Sequence, residues 1–160
     1  MKESKSQRLE DRGRFIKRLN IKEPEKRSSW EEYALDIAKT ASSRSEDPFV
    51  KVGACALDHN NMILGVGYNG LASGKTPSHK SFWEDRDLRR PYMIHAEVNC
   101  LSLFKKSEAK LLAVTLLPCS YCALMIAAYG IKNVVYGEDY KRDDGAKEIF
   151  NFYDINLIKL

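Results

Sequence analysis

Residues 111–137 read LLAVTLLPCSYCALMIAAYGIKNVVYG, and three kinds of segment follow one another within them. LLAVTLL, 111–117, is a continuous apolar run of strand length, as expected for a central strand covered on both faces. CSYCALMIAAYG, 119–130, predicts a helix closed by Gly130 just past its end. NVVYG, 133–137, predicts another strand. Strand, helix and strand in succession are the alternation of an α/β protein. Two cysteines, Cys119 and Cys122, stand where the first strand gives way to the helix.

The same alternation extends outward. RSSWEEYALDIAKTASSRS starts a helix, with Ser29 as N-cap and Glu31 and Glu32 in its first turn. Apolar residues follow at Trp30, Tyr33, Ala34, Ile37 and Ala41, and Pro48 ends the pattern. VGACALDHNNMILGVGYNG predicts a hairpin with strands over 52–57 and 62–67. Residues 71–94 are polar and without a period, which predicts a long loop, and loops of that length are often functional. Ile94 to Lys106 predicts a second helix, KRDDGAKEIFNFYDI contains another, and NLIKL adds a last strand. The expectation is an α/β sandwich.

With 160 residues and 44% hydrophobic composition, the chain is long enough for one domain with its own core. No apolar run approaches a membrane span, and MKESKSQRLEDRGRFIKRLN lacks the apolar segment of a secretory signal, so a cytoplasmic location is expected. In that setting, four cysteines suggest thiols or metal ligands more than disulfides. Residues 1–27 carry a net charge of +5 and the remainder −1, so the basic character belongs to an N-terminal extension, 1–28. The folded domain is expected over 29–160. Nucleic-acid binding by the extension is not the favoured reading, because mixed-sign solvated segments are common.

Cys119 and Cys122 are spaced i, i+3, so both side chains fall on one face at a helix start, where the dipole lowers a thiol's pKa. Alone, such a pair is also compatible with a redox motif or half of a structural zinc site. His95, in PYMIHAEVNC at 91–100, is a plausible third ligand. Three protein ligands leave a fourth position open, as in catalytic zinc. Cys100 points elsewhere on its helix, Cys55 reads as a small core residue, and His59 and His79 read as surface residues. Glu97 favours the catalytic reading, because a hydrolytic site needs a proton carrier and a structural site does not. His95-Ala96-Glu97 followed by Pro118-Cys119-Ser120-Tyr121-Cys122 matches the H-x-E, P-C-x-x-C signature of zinc-dependent nucleobase deaminases. Glu97 is then expected to take a proton from the attacking water and deliver it to N3 of a cytosine, making C4 electrophilic.

RSEDPFVKVGACALD, GVGYNG, YMIHAEVN, LLPCSYCALMIAAYGIKNVVY and DYKRDDGAKEIF together resemble the deoxycytidylate (dCMP) deaminases of the cytidine deaminase superfamily, over roughly residues 29–160. The resemblance implies a three-layer α/β/α sandwich around a central mixed sheet of about five strands, with the two zinc-binding helices packed together. It implies conversion of dCMP to dUMP, which supplies thymidylate synthesis. It also implies that Asn69 reaches the sugar, that the Ala96 N–H helps hold the base, and that Tyr140 lies by the nucleotide. Arg44, Ser45 and Lys51 are the candidates for the phosphate. The alternatives are a relative acting on dCTP, deoxycytidine or tRNA, and a noncatalytic zinc-stabilised binding module.

Many such enzymes are hexamers, activated by dCTP and inhibited by dTTP with Mg²⁺ at a site near GYNG, which points to Tyr68 and Gly70. The motif here continues LASGKTPSH, unlike the best-known regulated members. Some relatives hold a second zinc with a Cys before the VGA strand and histidines in the insertion. This chain has Asp47 near that Cys position and only His79 in the insertion, so one zinc is expected.

Overall fold

A computed structural model describes residues 4–18, 27–72, 77–141, 143 and 145–160. Residues 1–3 and 19–26 of the basic extension, 73–76 of the insertion, and Arg142 and Asp144 of the KRDD stretch lie outside the described residues. A five-stranded sheet has the order β2-β1-β3-β4-β5, built from β1 (Gly53–Asp58), β2 (Ile63–Tyr68), β3 (Ala109–Leu116), β4 (Asn133–Glu138) and β5 (Asn156–Lys159). The β1 strand runs antiparallel to β2 and β3, while β3, β4 and β5 are mutually parallel, so the sheet is mixed as expected.

Alternating residues of the central strands supply two cores. Cys55, Leu57, Leu111, Ala113 and Val135 face α2 (Trp30–Ser42), which contributes Ala34, Leu35 and Ala38. Ala54, Ala56, Leu112, Val114 and Val134 face the other way, against residues of α5 (Ala96–Leu101), α6 (Ser120–Ala128) and α7 (Gly145–Phe152). Helices on both faces explain why β3 reads as a continuous apolar run. The predicted cap of α2 is present as a capping box: Glu32 N–H donates to Ser29 Oγ at 3.1 Å, and Ser29 N–H donates to Glu32 Oε2 at 2.7 Å. Gly130 takes φ +78° just past α6, the left-handed position that ends this helix.

Two local expectations are corrected, and the extension adds a helix. The second predicted helix covers only Ala96–Leu101. It starts late because Ile94 is held extended: its N–H donates to Gly70 O at 2.7 Å and its carbonyl accepts from Gly70 N–H at 3.0 Å. It ends early, at a C-cap on Ser102. The insertion is not simply a loop. It contains α3 (Lys80–Glu84), α4 (Arg86–Arg89) and a 3₁₀ turn (Arg90–Tyr92). Asp85 starts α4 by accepting from Asp87 N–H and Leu88 N–H, both at 3.0 Å. Helices this short show no periodicity. The extension holds α1 (Lys5–Arg18), rich in helix-forming Lys, Arg, Gln, Leu and Glu and with an Arg14–Glu10 pair at i, i+4.

Candidate active site

The carboxyl ends of β3 and β4 open onto the same end of the sheet as the start of β1 and the end of β2. Ligands bind α/β proteins outside such strand ends. Here a cavity is lined by Asp47, Val50, Val52, Asn69, Arg86, Arg89, Arg90, Met93, His95, Ala96, Glu97, Leu116, Leu117, Cys119 and Tyr140.

Two helix starts meet at its floor. His95 is the N-cap of α5 and Cys119 the N-cap of α6, with extended backbone at both residues. Cys122 lies on the first turn of α6. Gly67 of β2 lets α5 sit directly on the sheet, since a Cβ there would come within 2.4 Å of Ala96 O and 2.5 Å of Cys100 N. On the other side, Asp143 accepts from Ser120 N–H at 2.8 Å and from the Ser120 hydroxyl at 2.6 Å, tying down the start of α6.

His95 Nδ1 lies 3.6 Å from Cys119 Sγ and 3.3 Å from Cys122 Sγ, and all three donor atoms are within 4.8 Å of one another. Zn–S and Zn–N lengths of about 2.3 and 2.0–2.1 Å at a tetrahedral angle place such atoms about 3.6 Å apart. The donor set therefore fits zinc in geometry and in chemistry. The electrostatics agree. The Cys119 thiol is pulled down to about 4, chiefly by the Cys122 thiol donating to it, with lesser help from His95 and the Cys122 backbone amide. Cys122 is pushed up as the member keeping that proton, and by burial. A divalent cation held by His95, Cys119 and Cys122 would replace that shared proton and take both sulfurs as thiolates.

Glu97 is 4% exposed and outside the three-donor cluster. Burial, the largest influence, pushes its carboxyl above the ordinary carboxylate range. A carboxyl shifted upward and lining the same cavity as His95 and Cys119 is suited to picking up and releasing a proton. Ala96 is the first residue of α5, so its N–H has no partner within the helix, and the residue lines the cavity.

The other predicted residues are distributed unevenly. Asn69 lines the cavity, with Oδ1 accepting from Val52 N–H at 2.7 Å and Nδ2 donating to Val50 O at 2.9 Å. Those bonds fix its amide orientation and leave one acceptor and one donor position. Tyr140 lines the cavity, and its hydroxyl accepts from Arg86 Nη2 at 3.1 Å. Arg44, Ser45 and Lys51 do not line it: Arg44 is exposed, Ser45 is buried, and Lys51 Nζ donates to Ser45 O at 2.6 Å. Tyr68 O accepts from Asn99 Nδ2 at 2.8 Å, and Gly70 holds the strand leading to His95. Asp47 shapes its turn through Phe49 N–H and Val50 N–H and pairs with Arg89 at 3.3 Å. Cys100 points to Gly65 O and Cys55 is buried in the core, both as expected. His59 and His79 are exposed.

Sequence reasoning missed the cations of the cavity. Arg86, Arg89 and Arg90 come from the DRDLRRP run of the insertion. The run was visible as a cluster of charge, but nothing local said which way it faces.

A mixed sheet with helices on both faces, with a His/Cys/Cys donor set and a buried carboxyl at two helix starts, defines the zinc-dependent deaminase class. Residues 28–138 match the family model described as the cytidine and deoxycytidylate deaminase zinc-binding region, and the chain belongs to that family. It is 33% identical over 140 residues to deoxycytidylate deaminase of Homo sapiens, covering 81% of this chain and 79% of the relative. It is 34% identical over 128 residues to ComE operon protein 2 of Bacillus subtilis (strain 168), covering 78% of this chain and 67% of that one. The crystal structure of dCMP deaminase from the cyanophage S-TIM5 in complex with dCMP and dUMP superposes with a TM-score of 0.69 at 27% identity, over 84% of this chain and 99% of the other. No helix among the described residues is long and apolar enough to cross a membrane.

Proposed function

We infer that this protein is a zinc-dependent hydrolytic deaminase that converts dCMP and water to dUMP and ammonia. The observation that carries the reading is the clustering of the His95, Cys119 and Cys122 donors at the cavity that His95, Cys119 and Glu97 line, within a chain related along most of its length to deoxycytidylate deaminases. His95, Cys119 and Cys122 hold the ion. Zinc bound there supplies Lewis acidity that makes water nucleophilic near neutral pH.

The chain's own groups do the rest. Glu97 takes a proton from the attacking water and gives it to N3 of the cytosine, which draws electrons from C4 and lets the water oxygen bond there. Glu97 then moves the second proton to the exocyclic nitrogen. The C4–N bond breaks with its electron pair on nitrogen, ammonia leaves, and C4 keeps the oxygen as a carbonyl. The Ala96 N–H and the Tyr140 ring hold the base, and the remaining amide capacity of Asn69 is directed to the sugar hydroxyl. Val52, Leu116 and Leu117 give the ring apolar walls and limit access of bulk water.

Ammonia release from dCMP, dCTP, deoxycytidine and tRNA tests the substrate. The expected order puts dCMP first, and faster turnover of any of the others would contradict the reading. The same reading extends to a cytoplasmic homo-oligomer, hexameric by resemblance, responding to dCTP and to dTTP with Mg²⁺ near Tyr68 and Gly70. Mass in solution with and without each nucleotide tests that extension.

A further inference from the structure

Three arginines reach the cavity from one short run of the insertion. Arg86 and Arg89 belong to α4, and Arg90 opens the 3₁₀ turn that follows. At spacings of three and four they share a helical face.

Their situations differ. Arg89 is 6% exposed and committed: Nε pairs with Asp47 Oδ2 at 3.3 Å, Nη1 donates to Trp83 O at 2.8 Å, and its guanidinium lies 5.0 Å from the Phe49 ring centroid. Asp47 offsets its charge. Arg86 is only partly exposed, at 32% of its side chain. The carboxylate nearest to it, Asp87, is 3.9 Å away and 94% exposed, so it offsets little. Arg90 pairs with no carboxylate among the described residues. The wall thus presents Arg86 and Arg90 without a close buried carboxylate, Asp143 acting on Arg90 only from beyond ion-pair distance, beside Arg89, whose charge Asp47 offsets. A phosphate monoester near pH 7 carries about −1.5 to −2 charge, which two guanidinium groups match.

Tyr140 completes the set. Its oxygen accepts from Arg86 Nη2, so its own O–H is left to donate into the cavity.

We propose that Arg86 and Arg90, with the Tyr140 hydroxyl, bind the 5′-phosphate of the substrate and set the preference for a nucleoside monophosphate over the nucleoside, while Arg89 positions them through Asp47. The assignment rests on the deaminase reading above. It replaces Arg44, Ser45 and Lys51, none of which lines the cavity.

The test is the ratio of kcat/KM for dCMP to kcat/KM for deoxycytidine, measured on zinc-loaded wild type, Arg86→Gln, Arg90→Gln, the double variant and Arg44→Gln. Loss of a hydrogen bond to a charged group predicts a fall in the ratio of about ten- to a hundredfold for each cavity arginine, carried mainly by KM for dCMP. Arg86→Lys and Arg90→Lys keep the charge and are expected to lose less. Calorimetric binding of the product dUMP gives a readout independent of turnover, and its Kd should rise by the same factor as the ratio falls. A double variant whose ratio and dUMP affinity both stay within about twofold of wild type would overturn the assignment. So would an equal fall in Arg44→Gln. The underlying reading is judged separately on the wild type: turnover of neither dCMP nor deoxycytidine removes that reading, and this assignment with it.

Discussion

Glu97 shows how one residue's surroundings decide its role. Two positions from His95 on the first turn of α5, it is buried and lies outside the donor cluster. Burial raises its carboxyl's pKa, as a group that must both take and return a proton requires. Glu97→Gln keeps the shape and removes the proton carrier of the proposed reaction. It is expected to lower kcat by about 10²–10⁴-fold with zinc content unchanged, checked by steady-state kinetics beside metal analysis. The four residues at the floor were legible because their geometry is local: i, i+3 on one helix start and i, i+2 on another. The arginines were not legible in the same way. Arg89 meets Asp47, a residue 42 positions away in the chain, and no local pattern reports such a contact. Lys51 shows the converse: it is close in sequence to the cavity wall, but its ammonium donates to the Ser45 carbonyl.

The two helix starts must approach within bonding distance of one ion, and the elements beneath them set that approach. Gly67 allows α5 to rest on β2 with its Ala96 carbonyl where a side chain would otherwise stand. Gly67→Ala must push α5 outward and carry His95 away from the cysteines. Overpacking of this kind costs about 1–3 kcal/mol, so the variant should unfold at lower denaturant and bind zinc more weakly. Unchanged zinc affinity would show that α5 is positioned by other contacts. Strands and long helices were readable because apolar spacing reports them directly. The truncated α5 and the short α3 and α4 were not, since a bridge from Gly70 to Ile94 and a cap from Asp85 decide them and neither leaves a period.

At the scale of the molecule, β5 closes the sheet and is held at one end by charge. Asp139, just past β4, accepts from Lys159 of β5 and from Lys147 of α7. Those lysines, Lys159 foremost, lower its carboxyl from 3.8 to about 2. A depressed carboxylate stabilises the fold above its unfolded pKa and loses that contribution as pH falls through the folded value. Between pH 4 and 2 the wild type should therefore lose stability that Asp139→Asn lacks at every pH, and added salt should narrow the difference because the pair is exposed. Melting temperatures of both proteins across that window check the sign.

The zinc-dependent activity itself is tested most directly by titrating metal-free protein with zinc while following dUMP formation from dCMP. The rate is expected to rise in proportion to bound ion and to level off at one zinc per chain. Equal turnover by the metal-free protein, or a plateau reached only with further ions, would contradict the account.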